Sequence, residues 1–271
     1  MARRHKIPFR RNPELSTWTG VHAEIRKLNA EVLITVVTAQ IVPESILSLF
    51  SGRAVNFHGS LLPYYRGPQP REGMILDGNA DLYGGVTLHC LTSGIDKGDI
   101  IGFRKSPYAA ERGYIFWEVC LARAAGSLAQ EELQDYLSGK LHPSPQPAKS
   151  GNYRKLSSNE MILSKKSSAS RVKWLCDNLG ASNLLRFRSQ DKVKRSVSHF
   201  ILELGPRTLQ PERIGKFAID FDASDARVRV ARFRRWTPIV RTVARLWAIA
   251  RTSLKSRSDF TPITHRNDQY G

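Results

Sequence analysis

A short run of apolar, mostly β-branched residues at Glu31–Val37 is the feature that most constrains the fold of this 271-residue chain. A run so short and so continuously apolar is typical of a strand buried within a parallel sheet. A helix with proline in its first turn is predicted over 43–50, and a second short strand over 54–57. This alternation of strand and helix predicts an α/β fold with a parallel sheet.

The same alternation continues towards residue 140. Gly139 is placed as the left-handed stop of the longest helix. The apolar patterns predict helices over 21–29, 71–76 and 114–137 and strands over 85–91 and 100–103.

A proline-rich segment, His142–Gly151, is predicted to be an extended linker, so we place a domain boundary between 1–150 and 151–271. The first part holds 17 Lys and Arg against 14 Asp and Glu, and the second holds 25 against 10. Such a basic region could contact phosphates of nucleic acid or lipid, or it could be an ordinary solvated surface. Few strands are recognisable after residue 160; elements are predicted at 170–179 (helix), 227–233 (strand) and 238–255 (amphipathic basic helix).

Composition excludes several classes of protein. No run of about 18 apolar residues occurs, so no transmembrane helix is predicted. The three widely spaced cysteines, Cys90, Cys120 and Cys176, match neither a disulfide framework nor a zinc site, and no metal is expected. We interpret them as mostly buried thiols of a protein in the reducing cytoplasm.

The residues after the second strand read NFHGSLLPYYRG (56–67). Asn56 and His58 project to the same side of the strand, because residues two apart share a face, and Phe57 turns into the core. Ligands of open α/β sheets bind beyond the carboxyl ends of strands, where these residues lie. Asp96 is predicted on the turn that follows the strand at 85–91.

Two donors directed at one point suit an oxyanion of acyl transfer, and a carboxylate can accept the proton that an attacking amine must lose. No serine–histidine pair or activated thiol is evident, so direct transfer is the simpler mechanism. A structural role for the histidine and a turn role for the aspartate stay open at this point.

Three separated motifs, NFHGSLLPYYRG (56–67), GGVTLHCLTSGIDKGDII (84–101) and PSPQP (143–147), resemble the folate-dependent formyltransferase family. The resemblance covers roughly 31–150. It implies an incomplete Rossmann-like, mostly parallel α/β sheet, followed by a smaller basic C-terminal region. Family members normally carry a longer segment before the strand at 31–37, so either the gene is shortened or its start is misassigned. If the absence is real, the sheet lacks its first strands and exposes an apolar edge.

The resemblance also implies the ligands and the site. The formyl donor would be 10-formyltetrahydrofolate. Asn56 and His58 would polarise the formyl oxygen, and Asp96 would transfer protons through water. The Leu62–Pro63 bond is a candidate for the cis form. Folate would contact Ala39, Gln40, Ile41, Gly94 and Ile95, and the acceptor would contact Ser60, Arg66 and Gly67.

The acceptor amine stays open. The amino-acid sequences of the 58–67 and 94–101 loops slightly favour a nucleotide-linked amino sugar. The basic C-terminal part favours methionyl-tRNA. Hydrolysis of formyl-folate ranks third. Arg71-Glu72 stands where relatives carry apolar or aromatic residues, which indicates an unusual acceptor or a decayed site. The alternative is a catalytically degenerate relative that binds RNA or an anionic surface through its basic C-terminal region.

Overall fold

The fold is taken from a computed structural model of the chain. It describes residues 15, 17–38, 40–147, 149–189, 194–197 and 201–232. The predicted basic helix at 238–255 lies outside the described residues. No helix in these ranges is long and apolar enough to cross a membrane.

The first sheet has four strands in the order β1-β2-β3-β4. The α/β class is confirmed, but only β1 and β2 pair in parallel, and the two following pairs are antiparallel. The segment 91–99 joining β3 to β4 is shorter than the dozen or so residues that a parallel crossover needs. The strands are β1 (Leu33–Val36), β2 (Ala54–His58), β3 (Gly85–Cys90) and β4 (Ile100–Lys105).

Five helices accompany this sheet, close to the predicted positions. The helix predicted over 114–137 is broken at Glu131, where Arg104 of β4 pairs with Glu131 and with Glu132. A 3₁₀ turn, Ser48–Phe50, extends α2. The helices are α1 (Val21–Lys27), α2 (Glu44–Leu47), α3 (Pro70–Leu76), α4 (Gly113–Gln130) and α5 (Glu132–Leu137).

The two faces of this sheet differ in character. Val55, Phe57 and Leu88 are buried in the main hydrophobic cluster, against α4 residues such as Trp117. The opposite face of β2 carries Asn56 and its polar neighbours. The sheet thus presents an apolar face to the core and a polar face to the candidate site.

At the outer strand of the sheet, Ile34 and Val36 of β1 are exposed, although Val55 and Phe57, their register partners on β2, are buried. Exposed apolar side chains therefore lie on the outer strand β1, while the absence of further strands before it stays a prediction.

The expectation of few strands after residue 160 was wrong. The described residues beyond that point form α6 (Ala169–Leu179), whose N-terminus is capped by Ser168, and seven strands in two small sheets. Several of these strands have only two or three residues, too few for a clear apolar alternation. The sheets are β5-β6-β7, from Ile162–Leu163, Arg186–Arg188 and Lys194–Ser196, and β8-β11-β10-β9, from Ile201–Gly205, Arg213–Ile214 (β9), Ala218–Asp222 (β10) and Arg227–Ala231 (β11).

The main hydrophobic cluster continues past the predicted linker. Leu163, Leu175 and Phe221 belong to the same cluster as Val55. The division at residue 150 stays a prediction, and apolar packing crosses it.

Candidate active site

Asn56, His58 and Asp96 are brought together by β2 and by the turn after β3. Asn56 and His58 are each 6% exposed. Asp96 Oδ2 lies 3.6 Å from His58 Nδ1. The three side chains thus share one buried polar site, although their catalytic roles stay predictions.

The Asp96 carboxylate is held by its surroundings as an anion. The backbone N–H of Gly67 donates to Oδ2 at 2.8 Å, and His89 Nε2 lies 3.6 Å from Oδ1. Burial raises the pKa of Asp96, but the hydrogen bonds and charges around the carboxylate, the Gly67 N–H among them, outweigh burial and hold the pKa below its ordinary value. Asp96 is therefore ionised at neutral pH.

His58 is arranged to accept a proton beside that carboxylate. Its Nε2 donates to the Tyr65 carbonyl at 2.9 Å, which assigns the neutral ring a lone pair on Nδ1, facing Asp96. Burial lowers the pKa of His58 below 6.5, although Asp96 opposes this. The neutral imidazole can take up a proton on Nδ1 and form an ion pair with Asp96.

The Asn56 amide is fixed by two partners. Thr35 Oγ1 donates to Asn56 Oδ1 at 2.8 Å, and Asn56 Nδ2 lies 3.1 Å from His89 Nε2. His89 Nδ1 donates to the Cys90 carbonyl, so its Nε2 must accept from the amide. Only one amide orientation satisfies both contacts, and it leaves a second N–H of Asn56 for a ligand.

Thr35 and His89 were missed as functional residues by the sequence reasoning, which noted the histidine position in the motif but gave it no role. The signal lies in cross-strand register. Thr35 and His89 are both paired with Asn56 in the sheet, and Thr87 is paired with His58. Alternation along Gly85–Cys90 places Thr87 and His89 on one face, and buries Val86 and Leu88 on the other.

The three residues predicted to meet the acceptor are all engaged within the protein. Buried Ser60 donates to the Tyr64 carbonyl, Arg66 donates to Gln146, and Gly67 donates to Asp96. The Leu62–Pro63 bond in this loop is cis. Contact of this loop with an acceptor stays a prediction.

The residues that departed from the family pattern contact α4. Arg71 Nη1 lies 3.2 Å from Glu118 Oε1, and the buried Glu72 accepts a hydrogen bond from Tyr114. Both residues therefore connect α3 to α4 in this structure.

Apolar side chains are exposed in both segments predicted to contact folate. Val37 and Ile41 are 65% and 66% exposed, and Ile95 is 40% exposed. Gln40 accepts a hydrogen bond from the Leu15 N–H, and Gly94 begins the turn that carries Asp96; Ala39 lies outside the described residues. These exposed apolar groups suit a flat aromatic ring.

Among the described residues, no group of three His, Cys, Asp or Glu could hold a metal ion. The cysteines are free thiols, with Cys120 and Cys176 buried and Cys90 half-buried, as predicted from the sequence.

The low pKa of His58 predicts acid sensitivity. The unfolded chain binds more protons than the folded one between the folded pKa of His58 and 6.5, so the free energy of unfolding rises with pH in that window. His58→Gln keeps an N–H near the Tyr65 carbonyl but cannot bind a proton, so we expect a flatter pH dependence just below 6.5. Urea unfolding between about pH 5 and 7.5 measures this.

The exposed His142 provides the control, because His142→Gln removes an imidazole without touching the buried site. An equally steep slope in His58→Gln and in the unaltered chain would contradict the assignment of a buried neutral imidazole.

The fold and the site define the class: an α/β protein with a buried amide, imidazole and carboxylate grouped on the polar face of its sheet. Residues 9–111 match the family model described as formyl transferase. Over these residues the chain is similar to the formyltransferase family.

Known proteins agree with this placement. A methionyl-tRNA formyltransferase from Bdellovibrio bacteriovorus is 38% identical over 123 residues, which cover 45% of this chain and 38% of the relative. The chain thus aligns with well under two thirds of that relative's length.

Two solved structures share the fold. HypX from Aquifex aeolicus, in complex with tetrahydrofolic acid, is 15% identical with a TM-score of 0.52 and covers 77% of this chain and 36% of that one. Rv3404c from Mycobacterium tuberculosis, described as a candidate sugar N-formyltransferase, is 20% identical with a TM-score of 0.53 and covers 79% and 91%.

Proposed function

We propose that this protein transfers a formyl group from 10-formyltetrahydrofolate to a primary amine. The observation that carries the proposal is the grouping of Asn56, His58 and Asp96 on one polar face, within the segment that matches the formyl transferase family model. The new bond joins the acceptor nitrogen to the formyl carbon, the bond to the folate nitrogen breaks, and a proton passes from the acceptor to that folate nitrogen.

Each of the three side chains has a distinct part in this reaction. The second N–H of Asn56 donates to the formyl oxygen as negative charge develops on it. Asp96 accepts the proton of the attacking amine, directly or through one water. His58 can take over that same proton on Nδ1 from Asp96 before it passes to the folate nitrogen.

The donor is supported by the chemistry of the surrounding segments. The exposed Val37, Ile41 and Ile95 offer apolar contact to a pterin ring, and a relative of the same fold is in complex with tetrahydrofolic acid. We assign Gln40, Ile41, Gly94 and Ile95 to this side of the site, together with Ala39 from the sequence motif.

For the acceptor we propose methionyl-tRNA ahead of a nucleotide-linked amino sugar. The described residues after 160 form two small sheets, so this part of the chain is richer in strands than the sequence indicated. The excess of 25 Lys and Arg over 10 Asp and Glu in 151–271 favours a polyanionic acceptor. The Bdellovibrio relative is also a methionyl-tRNA formyltransferase.

An acceptor screen tests the proposal. The protein is supplied with 10-formyltetrahydrofolate and either methionyl-tRNA or nucleotide-linked amino sugars, and tetrahydrofolate release is measured. We expect release to depend on methionyl-tRNA, and tRNA affinity to fall steeply between about 50 and 200 mM salt. A salt-independent affinity would exclude phosphate contacts as the main source of tRNA binding.

Folate binding is measured separately, by the rise in Tm with a non-reactive folate analogue. We expect the rise to disappear when the 37–43 segment is altered. Folate binding without transfer to any acceptor would favour the catalytically degenerate alternative, and no folate binding would contradict the proposed donor.

A further inference from the structure

Gln146, in the proline-rich segment predicted to be a linker, uses its whole side-chain amide within the candidate site. Its Nε2 donates to the carbonyls of Asp96 and Gly98, both at 2.8 Å. Its Oε1 accepts from Arg66 Nε at 3.0 Å and from Arg66 Nη2 at 2.6 Å. Both amide hydrogens and both oxygen lone pairs are thereby used.

These bonds join the two loops on either side of the catalytic carboxylate. Arg66 directly precedes Gly67, whose N–H donates to Asp96 Oδ2. The 60–67 loop therefore contacts the Asp96 turn twice: Gly67 bonds to it directly, and Arg66 is linked to it through Gln146. A shift of the turn would break both contacts.

Hydrogen bonds rather than exposed apolar side chains hold the Asp96 turn. Asp96 has a left-handed backbone, with φ of +50°, and its neighbours Ile95 and Lys97 are exposed. Within the turn, the Lys97 N–H approaches the Gly94 carbonyl at 3.3 Å. Thr92 Oγ1 also approaches the Gly94 carbonyl at 3.3 Å, so hydrogen bonds hold this turn, and those from Gln146 reach it from outside.

Gln146 itself stands on a fixed support. Two residues earlier, Ser144 exchanges two backbone hydrogen bonds with Ile100 of β4, each at 2.8 Å. Pro145 and Pro147 flank Gln146 and restrict the backbone on both sides. The side chain is thereby directed from the sheet edge onto the turn.

We propose that Gln146 is a positioning residue, which holds the Asp96 carboxylate and the 60–67 loop in register for the reaction. The expected effect on kcat rests on the proposed function, whereas the hydrogen bonds of Gln146 do not depend on that function. Glutamine fits this role because it both donates to carbonyls and accepts from a guanidinium, and a glutamate of the same size cannot donate.

Two substitutions test the proposal, Gln146→Ala and Gln146→Glu. A misplacement of about 1 Å can cost about 100-fold in rate, so we expect kcat to fall about 10- to 100-fold while KM for the folate changes less than about 3-fold. Gln134→Ala removes an exposed glutamine of α5 and should leave kcat unchanged. A folded Gln146 variant of either kind with unchanged kcat would overturn the proposal.

A second measurement needs no turnover. The negative charge of Asp96 raises the pKa of His58, so a displaced carboxylate should lower the His58 pKa further in Gln146→Ala, as followed by NMR of the imidazole. Gln134→Ala should leave it unchanged. An unchanged His58 pKa in Gln146→Ala would contradict the positioning role.

The two measurements separate the inference from the proposed function. A lowered His58 pKa in a protein that transfers no formyl group would reject the function and keep the positioning role. Loss of transfer in Asp96→Asn, with normal kcat and normal His58 pKa in both Gln146 variants, would reject the positioning role alone.

Discussion

Asp96→Asn is expected to lower kcat for formyl transfer by about 10³-fold, within the range of about 10² to 10⁴ typical of general acid–base groups. Asparagine is nearly isosteric, tolerates the left-handed backbone of Asp96, and can still accept from the Gly67 N–H. It removes the charge that accepts a proton and that faces His58 Nδ1. The chemical step should therefore fail in a chain that folds normally.

Single-turnover kinetics and thermal unfolding together check this expectation. Asp177→Asn is the matched control, since Asp177 forms an exposed ion pair with Lys173 on α6, far along the chain from the site. Such a pair contributes at most about 1 kcal/mol, so the control should keep its kcat. Unimpaired turnover in Asp96→Asn would remove the carboxylate from the mechanism.

Asn56→Ala is expected to lower kcat by about 10²- to 10³-fold, the cost of removing one oxyanion donor. The substitution also leaves Thr35 Oγ1 and His89 Nε2 without the amide that joins them. A buried polar group without a partner costs about 1–3 kcal/mol, so Tm should fall as well. The kinetic loss should exceed what partial unfolding explains.

The comparison with Asn178→Ala separates these two effects. Asn178 of α6 also uses its amide twice, accepting from Tyr108 and donating to the Trp174 carbonyl, outside the candidate site. Its loss should lower Tm without lowering kcat of the folded fraction. Equal kcat in the two folded variants would show that Asn56 is structural.

The parts of the fold that could be predicted from sequence were those with long or strongly patterned segments. The apolar run ending at Val37 and the proline at 43 located β1 and α2 to within a few residues. The antiparallel pairing of β3 and the short strands after residue 160 could not be predicted in this way. Pairing direction depends on connections, and two-residue strands such as Arg213–Ile214 carry no period.

The candidate site, like the fold, could be predicted from the sequence only in part. Asn56 and His58 could be paired because two residues on one strand share a face, and Asp96 could be added because it was predicted on the turn after a neighbouring strand. Thr35 and His89 support Asn56 from neighbouring strands, and their contacts depend on register. Gln146 meets Asp96 from 50 positions away, which no local pattern encodes.

The surroundings of two glycines show how closely the segment after Gln146 packs against the 60–67 loop. A Cβ on Gly67 would come within 2.6 Å of the Tyr153 ring, and one on Gly151 within 2.1 Å of the Pro63 carbonyl oxygen. Asn152 also accepts from the Tyr65 N–H, and Tyr65 supplies the carbonyl that orients His58. A cut in the chain near residue 150 should therefore loosen the candidate site, because residues 151–153 help to hold the loop that orients His58.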